Sequence, residues 1–161
     1  MKKLILIRHA KSSWQATLRD FDRPLMKSGI HDAHLVSSNI QKDIPKSYLM
    51  WSSAAKRASE TAIIFAQNIS YPIQSIVFKE ELYTFDESKL EQIIKSCPND
   101  YDNLILFGHN EAITNFVNKF GNILIDNVTT SGFVSINFET NNWNTIENGK
   151  TIKIIFPRDL R

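Results

Sequence analysis

Short unbroken apolar runs alternate along this chain with stretches that have helical spacing. Residues 3–7 are a continuous run of mostly branched side chains, too short for a helix, and predict a strand buried on both faces. Behind Lys27-Ser28-Gly29, the positions Ile30, Ala33, Ser37 and Ile40 trace one helical face. Residues 48–51 predict a second strand. Ala58, Thr61, Ala62, Phe65 and Ile69 then repeat at i, i+3, i+4, i+7 and i+11, the pattern of an amphipathic helix. Residues 73–78 read as another strand, and Leu90, Ile93 and Ile94 as a helix that opens after Asp86. Residues 104–107 are a third continuous apolar strand, with Ile113, Phe116, Val117 and Phe120 giving a helix directly behind it. The tail changes character: 133–138 and 151–156 read as antiparallel strands, the second entered through an Asn148-Gly149 turn.

Strand–helix alternation with apolar strands predicts an α/β fold. The expected form is a three-layer α/β/α sandwich around a mainly parallel mixed sheet, antiparallel near its end. No repeat, linker or low-complexity block interrupts the pattern, so residues 1–161 are expected to form one domain. At 42% hydrophobic and 22% charged residues the chain has an ordinary globular composition, which excludes a disordered or fibrous class. Its net charge of +2 is too small to argue for general nucleic-acid binding. The opening Met1-Lys2-Lys3 and apolar run imitate a signal peptide, but Arg8 and His9 cut the run below the ~7–15 residues an export signal needs. No apolar stretch approaches the ~20 residues of a membrane span. A cytoplasmic protein without membrane partners is expected, and the sequons at Asn68 and Asn127 then occur by chance. The single cysteine, Cys97, excludes a disulfide framework and a cysteine-based zinc cage. No arginine follows it at the spacing of a thiol phosphatase, so it reads as an inert thiol.

Three of the apolar strands end alike, in an abrupt polar pair followed by a loop or helix. The first ends in Arg8-His9, the second in Ser52-Ser53 with Arg57 shortly beyond, the third in Gly108-His109 with Asn110-Glu111 opening a helix. In an open α/β sheet, ligands bind beyond the carboxyl ends of parallel strands, so these exits are expected to converge. Guanidinium forks match phosphate oxygens, and a helix N-terminus adds unpaired N–H donors. The set describes a site for a phosphate dianion. Its histidines add a neutral nitrogen nucleophile, which a plain anion site lacks.

Residues 6–10, Leu-Ile-Arg-His-Ala, resemble the Arg-His-Gly signature of the histidine phosphatase superfamily, which includes phosphoglycerate mutase. The segment from Ser53 to Thr61 resembles that superfamily's second arginine motif, and Phe107-Gly108-His109-Asn110 its second histidine motif. The small phosphohistidine phosphatase branch, SixA, is similar over nearly the whole chain. The similarity takes in Arg-His-Ala-Lys-Ser-Ser-Trp, Asp20-Phe21-Asp22-Arg23-Pro24-Leu25, Gly-His-Asn and the terminal Pro157-Arg158-Asp159-Leu160, in order.

The resemblance implies a phosphoglycerate mutase-like fold and a hydrolase that works through a covalent phosphohistidine on His9, without a cofactor or metal. It implies that Arg8, Arg57 and His109 surround the phosphoryl oxygens and that Arg23 is a further pocket arginine. Ser12 and Gln15 lie where the superfamily often has phosphate-side polar residues. The implied partner is a protein bearing phosphohistidine, of phosphorelay or phosphotransfer type, in signal transduction. A general phosphomonoesterase and a non-catalytic module that binds phosphoproteins are the alternatives.

Two departures bear on that choice. Ala10 replaces the usual glycine. Aligning Glu81-Leu82-Tyr83-Thr84 on the region that carries the phosphomonoesterases' glutamate acid puts Thr84 in the acid's place. An alkoxide leaving group needs such an acid, whereas imidazole, with a conjugate-acid pKa of ~6.5, leaves readily without it. The chain is also too short for the insertions that close over small substrates in mutases and sugar phosphatases. Both points favour phosphohistidine.

Other features have plainer readings. His31 and His34 share a helix face with Asp32 but lack a third ligand by spacing, so a solvated face is expected. Gly149-Lys150-Thr151 imitates the end of a P-loop, yet no helix pattern follows it and a turn explains it. Trp14 is placed at the pocket mouth, Trp51 in the core, Trp143 in a strand or turn, and Lys2-Lys3 is an ordinary flank.

Overall fold

The computed structural model describes residues 1–15 and 17–161. The apolar runs are its strands: β1 (Lys2–Arg8), β2 (Leu49–Ser53), β3 (Val77–Lys79), β4 (Asn103–Gly108), β5 (Phe133–Phe138) and β6 (Lys150–Ile155). They form one sheet in the order β3-β2-β4-β1-β5-β6. The first four pair in parallel, and β5 runs antiparallel to both of its neighbours.

Helices α1 (Lys27–Ser37) and α2 (Lys56–Asn68) cover one face; α3 (Glu87–Lys95) and α4 (Ala112–Phe120) cover the other. Strand β1 shows why its sequence has no polar alternation. Ile5 and Ile7 join Ala33, Val36, Ala62 and Phe65 in one apolar layer, while Leu4 and Leu6 join Leu90, Ile94, Phe116 and Val117 in the other. A strand covered twice gains from an apolar side chain at every position. The architecture is the expected three-layer sandwich.

Some expectations need correction. Only the end of the 73–78 run is extended: Ile73–Ser75 is a 3-10 turn, and the short β3 that follows lies at the sheet edge with Val77 and Phe78 exposed. Ile30 faces outward on α1, and Val36 takes its place in the core. Lys2 is no solvated flank. It is 1% exposed, its ammonium donating to the carbonyls of Asn99 and Tyr101 and to Asp102. Trp143 sits in a 3-10 turn, as a turn residue would, but its ring is fully buried in the core. Asn148 takes the left-handed backbone, φ 49°, that the turn before β6 requires. Burial raises the Cys97 thiol to about 11, which keeps it protonated and inert. No helix among the described residues is long and apolar enough to cross a membrane.

Sheet register brings the three polar exits together. Arg8 stands opposite Gly108, and Ser52 opposite Phe107, so Arg8-His9, Ser52-Ser53 and Gly108-His109 leave the sheet on one edge. The His9 amide donates to the Gly108 carbonyl at 3.0 Å, and the Ser131 amide is shared between the carbonyls of Arg8 and His9. The turn after β1 is therefore held by both neighbouring chain segments.

Candidate active site

His9, 8% exposed, sits where β1 ends. Its Nδ1 lies 2.7 Å from the Ala10 carbonyl. A carbonyl only accepts, so Nδ1 carries the proton and Nε2 keeps its lone pair. Burial pushes His9 down to about 3; the Ala10 hydrogen bond opposes this, and the charges of Arg57, Arg8 and Arg23 reinforce it. The ring is neutral across the physiological range.

Arg57, in the first turn of α2 and 2% exposed, places Nε 3.4 Å from that Nε2. Thr61, one turn further on, accepts the Ala10 amide at 2.9 Å and donates to the Arg57 carbonyl at 2.7 Å. This fastens α2 to the loop that carries the nucleophile. Glu60 beside it accepts the Leu25 amide, so the Glu60-Thr61 motif acts as a fastening rather than as chemistry. Arg8 donates from Nη1 to the Val128 carbonyl at 3.0 Å, and its Nε finds no partner among the described residues.

His109, 1% exposed, lies with its ring centroid 5.2 Å from that of His9. Burial, then the neighbouring His9 and Arg57, pushes it down to about 2, with Asp20 opposing. Its Nε2 is 2.8 Å from Ser53 Oγ, while Nδ1 has no partner among the described residues. The edges and faces of Tyr83 and Phe85 pack against its ring at centroid distances of 5.3 and 5.5 Å.

Arg23 donates from Nη1 to Ser12 Oγ at 2.6 Å, and Trp14 stacks over its guanidinium at 3.7 Å while remaining 83% exposed. Arg8, His9, Ser12, Arg23 and Arg57 line one open cavity of about 570 Å³, with Trp14, Met26 and Phe85 at its margin. Gln15 does not join them. It is exposed and borders a shallower depression shared with Trp14, Leu18, Asp20 and Arg23.

Two residues of this site had no role assigned from sequence. Asp20, on a 3-10 turn, joins the two outer arginines: its Oδ2 accepts Arg57 Nη2 at 2.9 Å and its Oδ1 accepts Arg23 Nε at 3.1 Å. Tyr83 donates its hydroxyl to the same Asp20 carboxylate. Asp20 stands in the quoted Asp-Phe-Asp-Arg-Pro-Leu motif and Tyr83 in Glu-Leu-Tyr-Thr, so both motifs carried the signal. Thr84, by contrast, turns inward on its own loop, where its hydroxyl accepts the Asp86 amide. Glu80, Glu81 and Asp86 are exposed, Asp86 capping α3. Burial alone would raise Asp20, but hydrogen bonds from Tyr83, Arg57 and Arg23 and the Arg57 charge outweigh it and bring the carboxyl to about 2. The one carboxylate lining the cavity among the described residues is therefore ionised and has no proton to give.

A neutral histidine at a strand end, flanked by an arginine from each of two elements and a second buried histidine, agrees with a family match. The model of the histidine phosphatase superfamily, branch 1, matches residues 4–121. The chain belongs to that superfamily. Among solved histidine phosphatases, the protein histidine phosphatase SixA, determined with tungstate, superimposes with a TM-score of 0.83 over 99% of both chains at 17% identity. A candidate phosphohistidine phosphatase SixA of Agrobacterium tumefaciens gives 0.79 over 96% of this chain and 97% of its own, at 21% identity. These likenesses show a phosphoglycerate mutase-like fold. An uncharacterized chloroplastic protein of Arabidopsis thaliana is 34% identical over 120 residues, 69% of this chain and 55% of its own. The chain thus spans about half the length of that curated relative.

Proposed function

We propose that this protein removes phosphoryl groups from phosphohistidine on another protein, by way of a phosphorylated His9. One observation carries the reading: the His9 imidazole is held neutral, its Nδ1 proton engaged by Ala10 and its Nε2 lone pair accepting the Arg57 Nε–H at 3.4 Å, in a cavity lined by guanidinium groups. Nε2 attacks phosphorus, the P–N bond of the substrate breaks as the new one forms, and the departing imidazole takes its proton from solvent. Water then attacks the phosphoryl-His9 and releases inorganic phosphate. Charge on the transferring oxygens is met by Arg8, Arg57 and Arg23, which line the cavity; His109 lies behind that lining, and its buried Nδ1, without a partner among the described residues, is assigned the role of a further donor.

Two observations support phosphohistidine over an alkyl ester. Among the described residues the cavity offers no protonated carboxyl for a leaving group, since Asp20 is ionised and Thr84, in the place of the acid, is engaged on its own loop. The cavity is also open, with Trp14 and Phe85 exposed at its margin, which suits a side chain presented by a macromolecule. The SixA likeness over the full chain agrees with this substrate class.

Rapid-quench labelling with a 32P-phosphohistidine protein tests the proposal. Wild type is expected to carry an acid-labile phosphoryl group that His9→Ala lacks. Hydrolysis of alkyl phosphate esters faster than the phosphohistidine protein, or equal labelling of His9→Ala, would overturn it.

A further inference from the structure

One residue, Asp20, holds the outer ends of two pocket arginines. Arg57 gives Nη1 to the Asp20 carbonyl at 2.7 Å and Nη2 to its carboxylate at 2.9 Å. Arg23 gives Nε and Nη2 to the other carboxylate oxygen, each at 3.1 Å. A carboxylate presents two anionic oxygens to a guanidinium fork much as one face of a phosphoryl group does. Asp20 lines the same cavity as His9, Arg57 and Arg23, so its carboxylate and an incoming phosphoryl group draw on the same donors.

We propose that Asp20 is a built-in competitor of phosphate: its carboxylate holds the Arg57 and Arg23 forks when the site is empty, yields them to the substrate, and reclaims them as inorganic phosphate leaves. The inference rests on the phosphoryl pocket proposed above. Asp20 is well placed for such an exchange. Its side chain is 43% exposed and stands on a three-residue 3-10 turn with no buried residue, so it can swing away without opening the core. Tyr83 supplies the counterweight, because its hydroxyl holds the carboxylate in place. A cup of three guanidinium groups without such a competitor would hold its product tightly, since a bound dianion there is only partly screened.

A mere positioning role predicts the opposite sign, which makes the test decisive. The probe is inorganic phosphate, titrated calorimetrically against the unmodified protein, Asp20→Asn and Tyr83→Phe, with tungstate as a second oxyanion. Asp20→Asn is expected to bind phosphate about tenfold more tightly and to lower KM and kcat together, because product release slows. Tyr83→Phe, which keeps the charge but loosens its tether, is expected to move the same way by a smaller factor. It also stands in for Asp20→Asn if that variant fails to fold. Unchanged or weaker phosphate binding in both folded variants would overturn the competitor role. Absence of phosphate binding in all three proteins would instead overturn the phosphoryl pocket itself.

Discussion

Ser53 Oγ stands 2.8 Å from His109 Nε2 and also accepts the Ala55 amide at 3.2 Å. With that amide filling one lone pair, and no other acceptor for the hydroxyl proton among the described residues, Ser53 donates to Nε2. The His109 proton is thereby placed on Nδ1, the nitrogen without a protein partner. On the function proposed above, Ser53 is then a positioning residue that leaves His109 its Nδ1 proton for the phosphoryl group.

Ser53→Ala is expected to slow formation of phosphoryl-His9 by roughly 10- to 100-fold, the scale of losing an orienting partner behind a functional histidine. Stability should fall by about 1–3 kcal/mol, because the Ala55 amide and His109 Nε2 lose their buried partner. Rapid-quench rates and 15N shifts of the His109 ring check this. An unchanged rate, or a ring that keeps its Nδ1 proton without the hydroxyl, would remove Ser53 from the mechanism.

Acid should weaken the fold through both buried rings. In the unfolded chain an imidazole protonates near ~6.5, whereas His9 and His109 in the folded protein are pushed down to about 3 and about 2. Between those limits the unfolded chain binds more protons, so stability rises with pH and is lost on acidification below ~6.5. Each ring contributes a slope of up to about 1.4 kcal/mol per pH unit. Urea denaturation at pH 7.5, 6 and 5 measures the slope, and 15N spectra at pH 5 should still show both rings neutral. Flat stability across that range would mean the rings are charged in the folded state.

Trp14 covers Arg23 yet offers most of its ring to solvent, which on the function proposed above suits it to contact the surface of a protein substrate. Trp14→Ala should raise KM for a phosphohistidine protein about tenfold, the scale of losing an exposed aromatic anchor. The loss of stacking on Arg23 alone, ~0.5–1 kcal/mol, should raise KM for a small phosphoramidate by a smaller factor. Equal changes for the two substrates would place Trp14 inside the phosphoryl site rather than on a docking surface.

Gly29 lies in α1, where helix propensity alone favours alanine by about 1 kcal/mol. A Cβ there would fall 2.1 Å from the Lys11 carbonyl oxygen and 2.8 Å from its amide nitrogen, both rigid backbone atoms. Overpacking of this kind costs roughly 1–3 kcal/mol. Gly29→Ala should therefore lower Tm by several degrees and, by shifting Lys11 two residues beyond His9, slow phosphoenzyme formation. A stabilised variant with full activity would show that α1 and the His9 loop move independently.

The sandwich was legible because β1 and β4 are covered on both faces and α2 on one, so burial wrote continuous and periodic patterns into the sequence. It was illegible where apolar residues stay outside. Val77 and Phe78 read like core but lie on a bare sheet edge. Lys2 read like surface, because no local pattern announces two carbonyls and a carboxylate waiting about a hundred residues away. The same division runs through the site. Arg8, His9, Arg57 and His109 stand at or just beyond the ends of buried strands, and sheet register, with Thr61 fastening α2 to the His9 loop, assembles them. Asp20 and Tyr83 come from turns far apart in sequence, and only tertiary contact reveals that they meet.

Strand β1 is paired on both edges and packed on both faces, so the imidazole of His9 hangs from the least yielding part of the molecule. The turns bearing Asp20, Trp14 and Phe85 have no such backing. A guest that fits poorly can be accommodated only by them. Across natural or engineered variants, selectivity should consequently drift through the rim while the geometry of attack stays fixed.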